Sequence, residues 1–153
     1  RTAAECVDVL AVARRHRLPV TPLGGGSNVL VSDAGVRGIV LLVRDRTVAR
    51  SGPDAVRAGA GLTMNGLVRW TIGQGLAALE AWAGTPGTIG GAIYGNAHFQ
   101  GELIGDLVRD VLLVTPDGQL LTVPQAEMDS RCTSLKSNGS FVGSRISPEA
   151  MSM

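Results

Sequence analysis

Three glycine-rich segments are the part of this sequence best suited to chemistry. They are residues 24–28 (Gly-Gly-Gly-Ser-Asn), 59–61 (Gly-Ala-Gly) and 84–92 (Gly-Thr-Pro-Gly-Thr-Ile-Gly-Gly-Ala). Backbone amides that such turns leave free form concave nests that bind phosphate, and the missing Cβ lets a pyrophosphate lie against the main chain. One such segment is typical of an ordinary tight turn. Three in one small domain favour a phosphate-containing ligand.

The spacing within these segments excludes two common nucleotide-binding motifs. A dinucleotide-binding fingerprint that starts at Gly24 requires a further glycine at a position where the chain has Val29. A fingerprint that starts at Gly59 meets Met64 at the equivalent position. A P-loop requires Gly-Lys before Ser or Thr, and the lysine of this chain, Lys136, follows a leucine. The Rossmann and P-loop interpretations therefore both fail.

The composition is that of a folded globular domain without a nucleic-acid surface or a metal site. The hydrophobic fraction is 44% and the charged fraction 18%, whereas disordered chains are poorer in apolar residues. The net charge is +1, the basic residues are scattered, and two Trp, one Tyr and two Phe are too few for a base-stacking platform. Cys6 and Cys132 have no metal-binding spacing and are predicted to be free thiols in a reducing compartment, which favours a cytoplasmic protein.

The longest uncharged stretch, residues 81–101, has the length of a membrane span but is predicted to be a system of loops. It contains six glycines and Pro86, and it lacks a continuous apolar run. A spanning helix needs about 20 consecutive, predominantly apolar residues. We therefore expect no contact with a membrane.

Hydrophobic periodicity and turn signals predict a mixed α+β domain. One helix is expected from a capping box at Thr2 and Glu5 to an end at Arg17, and a second from an N-cap at Thr63 to a stop at Gly75. Extended or strand segments are expected at residues 18–23, 29–31 and 38–43, and two short strands are expected within residues 48–58. Residues 107–114 and 120–123 are expected to form a hairpin. The order of these elements favours one α+β domain without internal repeats.

Taken together and in order, these blocks resemble the FAD-binding half of the UDP-N-acetylenolpyruvoylglucosamine reductase family. The matching segments are residues 22–31, 38–40, 58–61, 75–76, 79–80, 84–92 and 95–97. The resemblance implies an α+β FAD-binding fold of the vanillyl-alcohol-oxidase type, in which two small lobes grip the flavin. It also implies NADPH as the hydride donor and a UDP-sugar enolpyruvyl ether as the small-molecule substrate. Reduction of this ether gives UDP-N-acetylmuramate, a precursor of peptidoglycan.

The resemblance assigns flavin-binding residues in this chain. The loop that matches the family's pyrophosphate cradle consists of Gly24, Gly25, Gly26, Ser27 and Asn28, and Gly61 lies in the next glycine-rich block. The family's second flavin loop is matched by Pro86, Gly87, Thr88, Gly90 and Gly91, with Asn96 close behind. Two positions depart from the family pattern, since Thr85 stands where isoleucine is frequent and His98 stands where glycine is usual.

Arg131 is the candidate catalytic residue that the resemblance assigns. The family's catalytic arginine lies in a Tyr-Arg-x-Ser segment followed by Leu or Phe and Lys, and residues 130–136 are Ser-Arg-Cys-Thr-Ser-Leu-Lys. Such an arginine would polarise the substrate and stabilise the enolate-like charge that develops during hydride transfer. The alternative is an ordinary surface arginine. Ser140 only faintly resembles the family's proton-donor serine, and the family's C-terminal glutamate has no counterpart, because Glu149 lies in a tail without periodicity.

The domain organisation expected from these patterns is an FAD-binding domain at residues 1–146, incomplete at its N-terminus, and an unstructured tail at residues 147–153. The family's substrate-binding domain is expected to be absent, so that this chain alone would be incomplete as an enzyme. Two alternatives stay open. The chain could be the FAD-binding domain of another flavin oxidase of the same fold, or a truncated product that binds FAD without turnover.

Overall fold

The computed structural model describes residues 2–128 and 143–146, and in these ranges it shows an α+β fold. The helices are α1 (Ala3–Arg15), α2 (Met64–Gly73) and α3 (Ile89–Tyr94). The strands are β1 (Val20–Leu23), β2 (Ile39–Leu42), β3 (Val48–Arg50), β4 (Val56–Gly59), β5 (His98–Phe99), β6 (Glu102–Leu103), β7 (Val108–Val114), β8 (Leu120–Pro124) and β9 (Gly143–Ile146). Their apolar side chains form two separate cores, one in each of two lobes.

The smaller lobe consists of α1 and the parallel pair β1 and β2. The predicted capping box is confirmed, since the Glu5 amide donates to Thr2 Oγ1 and the Thr2 amide donates to Glu5 Oε2 at 2.8 Å. The apolar face of α1 is buried against Leu41 of β2. The helix ends at Arg15 rather than at Arg17 as predicted, because Arg17 takes a left-handed conformation with φ of 54°.

The larger lobe is an antiparallel sheet with the strand order β3-β4-β9-β7-β8. The two strands predicted within residues 48–58 and the predicted hairpin of β7 and β8 are confirmed. The N-cap of α2 is confirmed as well, because the Thr63 hydroxyl accepts a hydrogen bond from the Gly66 amide at 3.1 Å. Side chains of α2, α3 and the sheet share one core, whose largest fully buried members include Met64, Leu67, Trp82, Ile89 and Ile104.

Two contacts fix the smaller lobe on the β7–β8 hairpin. Arg14 Nη1 of α1 donates to the carbonyl oxygen of Asp117 at the hairpin turn, at 2.8 Å. Val114, the last residue of β7, is buried among the core residues of the smaller lobe. The lobes are therefore held side by side at the edge of the sheet, which sets the position of the loops between them.

Two predictions of local structure are wrong. Residues 29–31 form no strand, pair with no strand in the described ranges, and leave Leu30 fully exposed (100%), so nothing buries this apolar run. Residues 81–101 are not all loop, because they contain α3 and β5, the first strand of the β5–β6 hairpin. Glycine disfavours helix, but tertiary hydrogen bonds to α3 override that preference. No helix in the described part of the chain is long and apolar enough to cross a membrane.

Candidate functional site

A cleft of about 540 Å³ lies between the two longest glycine-rich segments. One wall is formed by residues 22–29, which leave β1, and the other by residues of the segment 85–97, which includes α3. Val43 and Ala60 complete the lining. The volume falls in the range of about 300–1,000 Å³ that is usual for small-molecule and cofactor sites. The fold therefore brings together two of the three segments that were singled out in the sequence.

The two cleft loops approach each other too closely for side chains at their contact points. A Cβ placed at Gly24 would lie 2.5 Å from Thr88 Oγ1. A Cβ at Gly87 would lie 2.8 Å from Ser27 Oγ, and Gly87 also has a φ of 108°, which L-residues rarely adopt. The glycines at these positions are thus required by the packing of one loop on the other.

The loop at residues 24–28 leaves its backbone amides available to a ligand. Within the described residues, none of these amides donates a hydrogen bond to the main chain or to a side chain. Gly26 has a φ of 74°, and a Cβ there would meet nothing within 4 Å, so that its outer side is open space. Polar backbone groups without a protein partner are satisfied by water or by a ligand. This loop has the properties of an anion nest.

The second cleft loop, in contrast, uses several of its amides for its own support. The Ile89 amide donates to the Leu62 carbonyl at 2.8 Å, and the Gly90 amide donates to the Ala60 carbonyl at 2.9 Å. The Gly91 amide donates to Thr88 Oγ1, the N-cap of α3, at 3.3 Å. This loop is consequently a fixed wall. Within the described residues its Gly87 and Thr88 amides also donate no hydrogen bond, so that amides without a partner occur in both cleft loops, with most of them at residues 24–28.

The third glycine-rich segment, residues 59–61, supports the cleft wall more than it lines the cleft. Ala60 lies in the lining, whereas Gly61 does not. A Cβ at Gly61 would lie 2.7 Å from the Arg44 Cα, and a Cβ at Gly59 would lie 2.5 Å from the carbonyl oxygen of Asp45. The close approach of two backbones therefore explains both glycines without a ligand.

The remaining site predictions lie beside the cleft or outside the described residues. Asn96 does not line the cleft; it has a φ of 43°, and its Oδ1 would lie 2.9 Å from a Cβ at Gly105. His98 is exposed in β5 and does not line the cleft either. Arg131, Ser140 and Glu149 lie outside the described residues.

Sequence reasoning missed Tyr94 as a residue of the cleft wall. Its side chain is 47% exposed and lines the cleft together with Gly90, Gly91 and Gly95. Residues separated by three or four positions share one face of a helix, as Tyr94 does with Gly91 and Gly90. That spacing would have indicated the common face if α3 had been predicted.

The cleft is electrically neutral in the part of the chain that the structure describes. No Asp, Glu, His, Lys or Arg lines it there, and its polar side chains are Ser27, Asn28, Thr85, Thr88 and Tyr94. The described residues also contain no group of His, Cys, Asp or Glu that could hold a metal ion. A hydrogen bond from the Thr115 hydroxyl lowers the pKa of Asp117, but this carboxylate lies at the β7–β8 turn and outside the cleft lining. An anion in this cleft would be bound by backbone amides.

Comparison with known families identifies the class of this domain. Residues 1–124 match the family described as "FAD binding domain". The chain therefore belongs to the FAD-binding domain family, and FAD, predicted from the glycine-rich segments and the resemblance, is confirmed as the cofactor.

The relatives of the chain narrow this class to one enzyme family. It is 41% identical over 126 residues to UDP-N-acetylenolpyruvoylglucosamine reductase of Shouchella clausii, a match that covers 82% of this chain and 40% of that protein. It is 33% identical over 141 residues to the enzyme of the same name from Oceanobacillus iheyensis, which covers 91% of this chain and 46% of that protein. The predicted resemblance is confirmed. The chain spans less than half the length of these relatives.

Solved structures of similar fold agree with this assignment. The UDP-N-acetylenolpyruvylglucosamine reductase of Thermus caldophilus has a TM-score of 0.67 and 27% identity, covering 89% of this chain and 50% of that one. The 6-hydroxy-D-nicotine oxidase of Arthrobacter nicotinovorans has a TM-score of 0.74 at 21% identity, covering 95% of this chain and 34% of that one. The second similarity concerns the fold alone. Together they confirm the predicted α+β fold class.

The cleft residues fit FAD on structural grounds that are independent of these comparisons. The free amides at residues 24–28 suit a pyrophosphate, because they supply donors without a competing partner. The bare main chain at Gly26 lets such a group approach closely. The apolar lining, which includes Leu23, Val43 and Ala92, suits a large planar aromatic ring.

Asn65 of α2 is expected to control FAD affinity without lining the cleft. Its Oδ1 accepts a hydrogen bond from the Gly84 amide at 2.6 Å and thereby ties the start of the second cleft loop to the helix. We expect Asn65→Leu to weaken FAD binding about five- to tenfold, the loss that corresponds to one hydrogen bond. Asn65→Asp keeps the acceptor oxygen and should bind FAD within about twofold of wild type. Titration of FAD fluorescence measures both, and equal losses in the two variants would contradict the prediction.

Proposed function

We propose that this chain is the FAD-binding part of an NADPH-dependent UDP-N-acetylenolpyruvoylglucosamine reductase. The substrate of such an enzyme is the enolpyruvyl ether of UDP-N-acetylglucosamine, and the product, UDP-N-acetylmuramate, enters peptidoglycan synthesis in the cytoplasm. The observation that carries the proposal is the cleft itself, in which a loop with free amides lies against a glycine-rich wall. The matched relatives, which bear the name of this enzyme, support it.

The proposed roles of the residues follow from their places in the cleft. The amides of residues 24–28 would hold the pyrophosphate, and Ser27 and Asn28 would add side-chain hydrogen bonds there. Pro86, Gly87, Thr88, Gly90 and Gly91 would form the flavin wall, which orients the cofactor and excludes water from one of its sides. Bound FAD supplies the hydride-transfer chemistry, while the protein supplies position and polarity. Gly61 and Asn96 would contribute indirectly, through the backbone that supports this wall.

Two further assignments belong to the proposal. Arg131 would polarise the substrate and stabilise the negative charge that develops on it. The FAD-binding domain would extend to residue 146, with residues 147–153 as a tail. The pairing of β9 with both β4 and β7 supports this extent, because it places residues 143–146 inside the main sheet. The partner of the site is a small molecule, and the scattered basic residues give no reason to add a nucleic acid.

Uptake of FAD by the purified chain tests the proposal directly. We expect the 153-residue chain to be yellow as purified or to quench the fluorescence of added FAD with a saturable, one-to-one titration. Heat denaturation should release the flavin, because binding is non-covalent. A colourless protein that leaves FAD fluorescence unchanged, while its circular dichroism shows a folded α+β chain, would contradict the proposal.

The substrate distinguishes a reductase of this family from a sugar or alcohol oxidase of the same fold. The chain shares 41% identity with a reductase of this name, and among the solved structures the reductase is 27% identical and the oxidase 21%. We therefore favour the reductase. This assignment requires that the UDP-sugar enolpyruvyl ether changes the absorption spectrum of the bound flavin and that simple sugars or alcohols do not.

A further inference from the structure

Thr85 lines the cleft and carries a hydroxyl without a hydrogen-bond partner. The residue is half-buried, and its Oγ1 is sealed from solvent within the described part of the chain. Proteins pair the large majority of their buried polar atoms, so each exception calls for an explanation. The other buried side-chain atoms without a partner among the described residues, Trp82 Nε1 and Glu102 Oε2, belong to residues that do not line the cleft. Among the described residues, the Thr85 hydroxyl is therefore the one buried side-chain group without a partner that belongs to a residue of the cleft lining.

The backbone on both sides of Thr85 is held in place. The Thr85 amide donates to the Trp82 carbonyl at 3.1 Å, and the preceding Gly84 amide donates to Asn65 Oδ1 at 2.6 Å. Pro86 follows and restricts the conformation of Thr85 to the extended region. Rotation of the Thr85 side chain about its Cα–Cβ bond is therefore the conformational freedom that remains. Rotation from one staggered well to the next moves the hydroxyl to the former position of the methyl group or of the Cβ hydrogen and leaves the backbone unchanged.

We propose that Thr85 anchors the flavin by such a rotation. When FAD occupies the cleft, the Thr85 hydroxyl turns toward it and donates a hydrogen bond to an oxygen or nitrogen acceptor of the cofactor. The inference rests on the proposed function, because it requires FAD in this cleft. In the free chain the hydroxyl makes no bond that it would have to give up. The new hydrogen bond consequently adds its whole strength to FAD affinity.

Two substitutions of Thr85 separate anchoring from packing. Thr85→Val keeps the shape and removes the hydroxyl, whereas Thr85→Ser keeps the hydroxyl and removes the methyl group. We expect Thr85→Val to bind FAD about five- to tenfold more weakly than wild type. Thr85→Ser should stay within about twofold of wild type. In the absence of FAD, Thr85→Val should melt at the same temperature as wild type or at a higher one, because it loses no hydrogen bond.

Fluorescence titrations with FAD and thermal melts of the FAD-free chain decide the matter. Weaker FAD binding by Thr85→Val, without a lower melting temperature and with recovery in Thr85→Ser, supports the anchoring role. Wild-type affinity in Thr85→Val overturns it, as does an equal loss of affinity in both variants, which would assign the effect to the methyl group. If the wild-type chain binds no FAD, the proposed function is overturned as well. If the wild-type chain binds FAD tightly and Thr85→Val binds it equally well, the anchoring role alone is overturned.

Discussion

We expect Gly87→Val to lower the affinity of this chain for FAD by at least about a hundredfold. Gly87 has a φ of 108°, and a β-branched residue forced into such a conformation stores about 1–3 kcal/mol of strain. The added Cβ would also lie 2.8 Å from Ser27 Oγ, in the loop whose free amides suit the pyrophosphate. Relief of this contact displaces the Ser27 side chain within that loop. The free chain relaxes this strain by changing the conformation of the second cleft loop, and FAD binding must then restore the original conformation. Because each tenfold loss in affinity corresponds to about 1.4 kcal/mol, a strain of about 3 kcal/mol accounts for a loss of about a hundredfold.

Gly35→Val is the matched control for this substitution. Gly35 also has a positive φ, 74°, but a Cβ there would meet nothing within 4 Å, and the residue does not line the cleft. Both variants should melt at lower temperatures than wild type, and only Gly87→Val should lose FAD binding in the fluorescence titration. Circular dichroism establishes that each variant is folded. A folded Gly87→Val chain with wild-type affinity would show that the contact between the two loops has no part in cofactor binding.

The chain alone is expected to show no measurable turnover of the UDP-sugar enolpyruvyl ether, even with its flavin reduced chemically. An enolpyruvyl double bond that accepts a hydride must also receive a proton on the neighbouring carbon. No carboxylate, histidine, lysine or arginine lines the cleft in the described residues. A positioned acid contributes typically a factor of about 10² to 10⁴, and orientation of two reactants contributes about 7–11 kcal/mol. The match covers 40% of the reductase from Shouchella clausii, and within the described residues the cleft lining offers no Asp, Glu, His, Lys or Arg for the proton transfer.

The assay follows NADPH oxidation that depends on the UDP-sugar enolpyruvyl ether, with FAD added in excess. A full-length reductase of the same family serves as the positive control and shows that the reagents are competent. Reduction of the bound flavin by dithionite, followed in the visible spectrum, shows that the cofactor of the short chain is redox-active. Turnover close to that of the full-length enzyme would contradict the prediction and would assign a catalytic role to residues such as Ser140 or Glu149.

Much of the fold follows from local sequence, since its signals depend on neighbouring residues. The Thr2 and Glu5 pair caps α1, and Thr63 caps α2, because a hydroxyl at the N-cap reaches an amide within the first turn. The hairpin of β7 and β8 follows from two apolar runs around a turn with Gly118 at a φ of 84°. Residues 29–31 show the limit of such signals, because an apolar run becomes a strand only where another strand pairs with it.

The sequence by itself indicated which segments are candidates for binding the cofactor, since the glycine-rich segments at residues 24–28 and 84–92 are apparent from the order of the residues. The tertiary structure decided what each glycine does. Gly24 and Gly87 permit contact between the loops, Gly61 permits contact between two backbones, and Gly26 faces open space. It also decided that the amides of Ile89 and Gly90 are consumed by carbonyls of residues 60–62, while those of residues 24–28 stay free. Whether an amide is free depends on acceptors distant in the chain, and only the folded molecule brings these acceptors within hydrogen-bond distance.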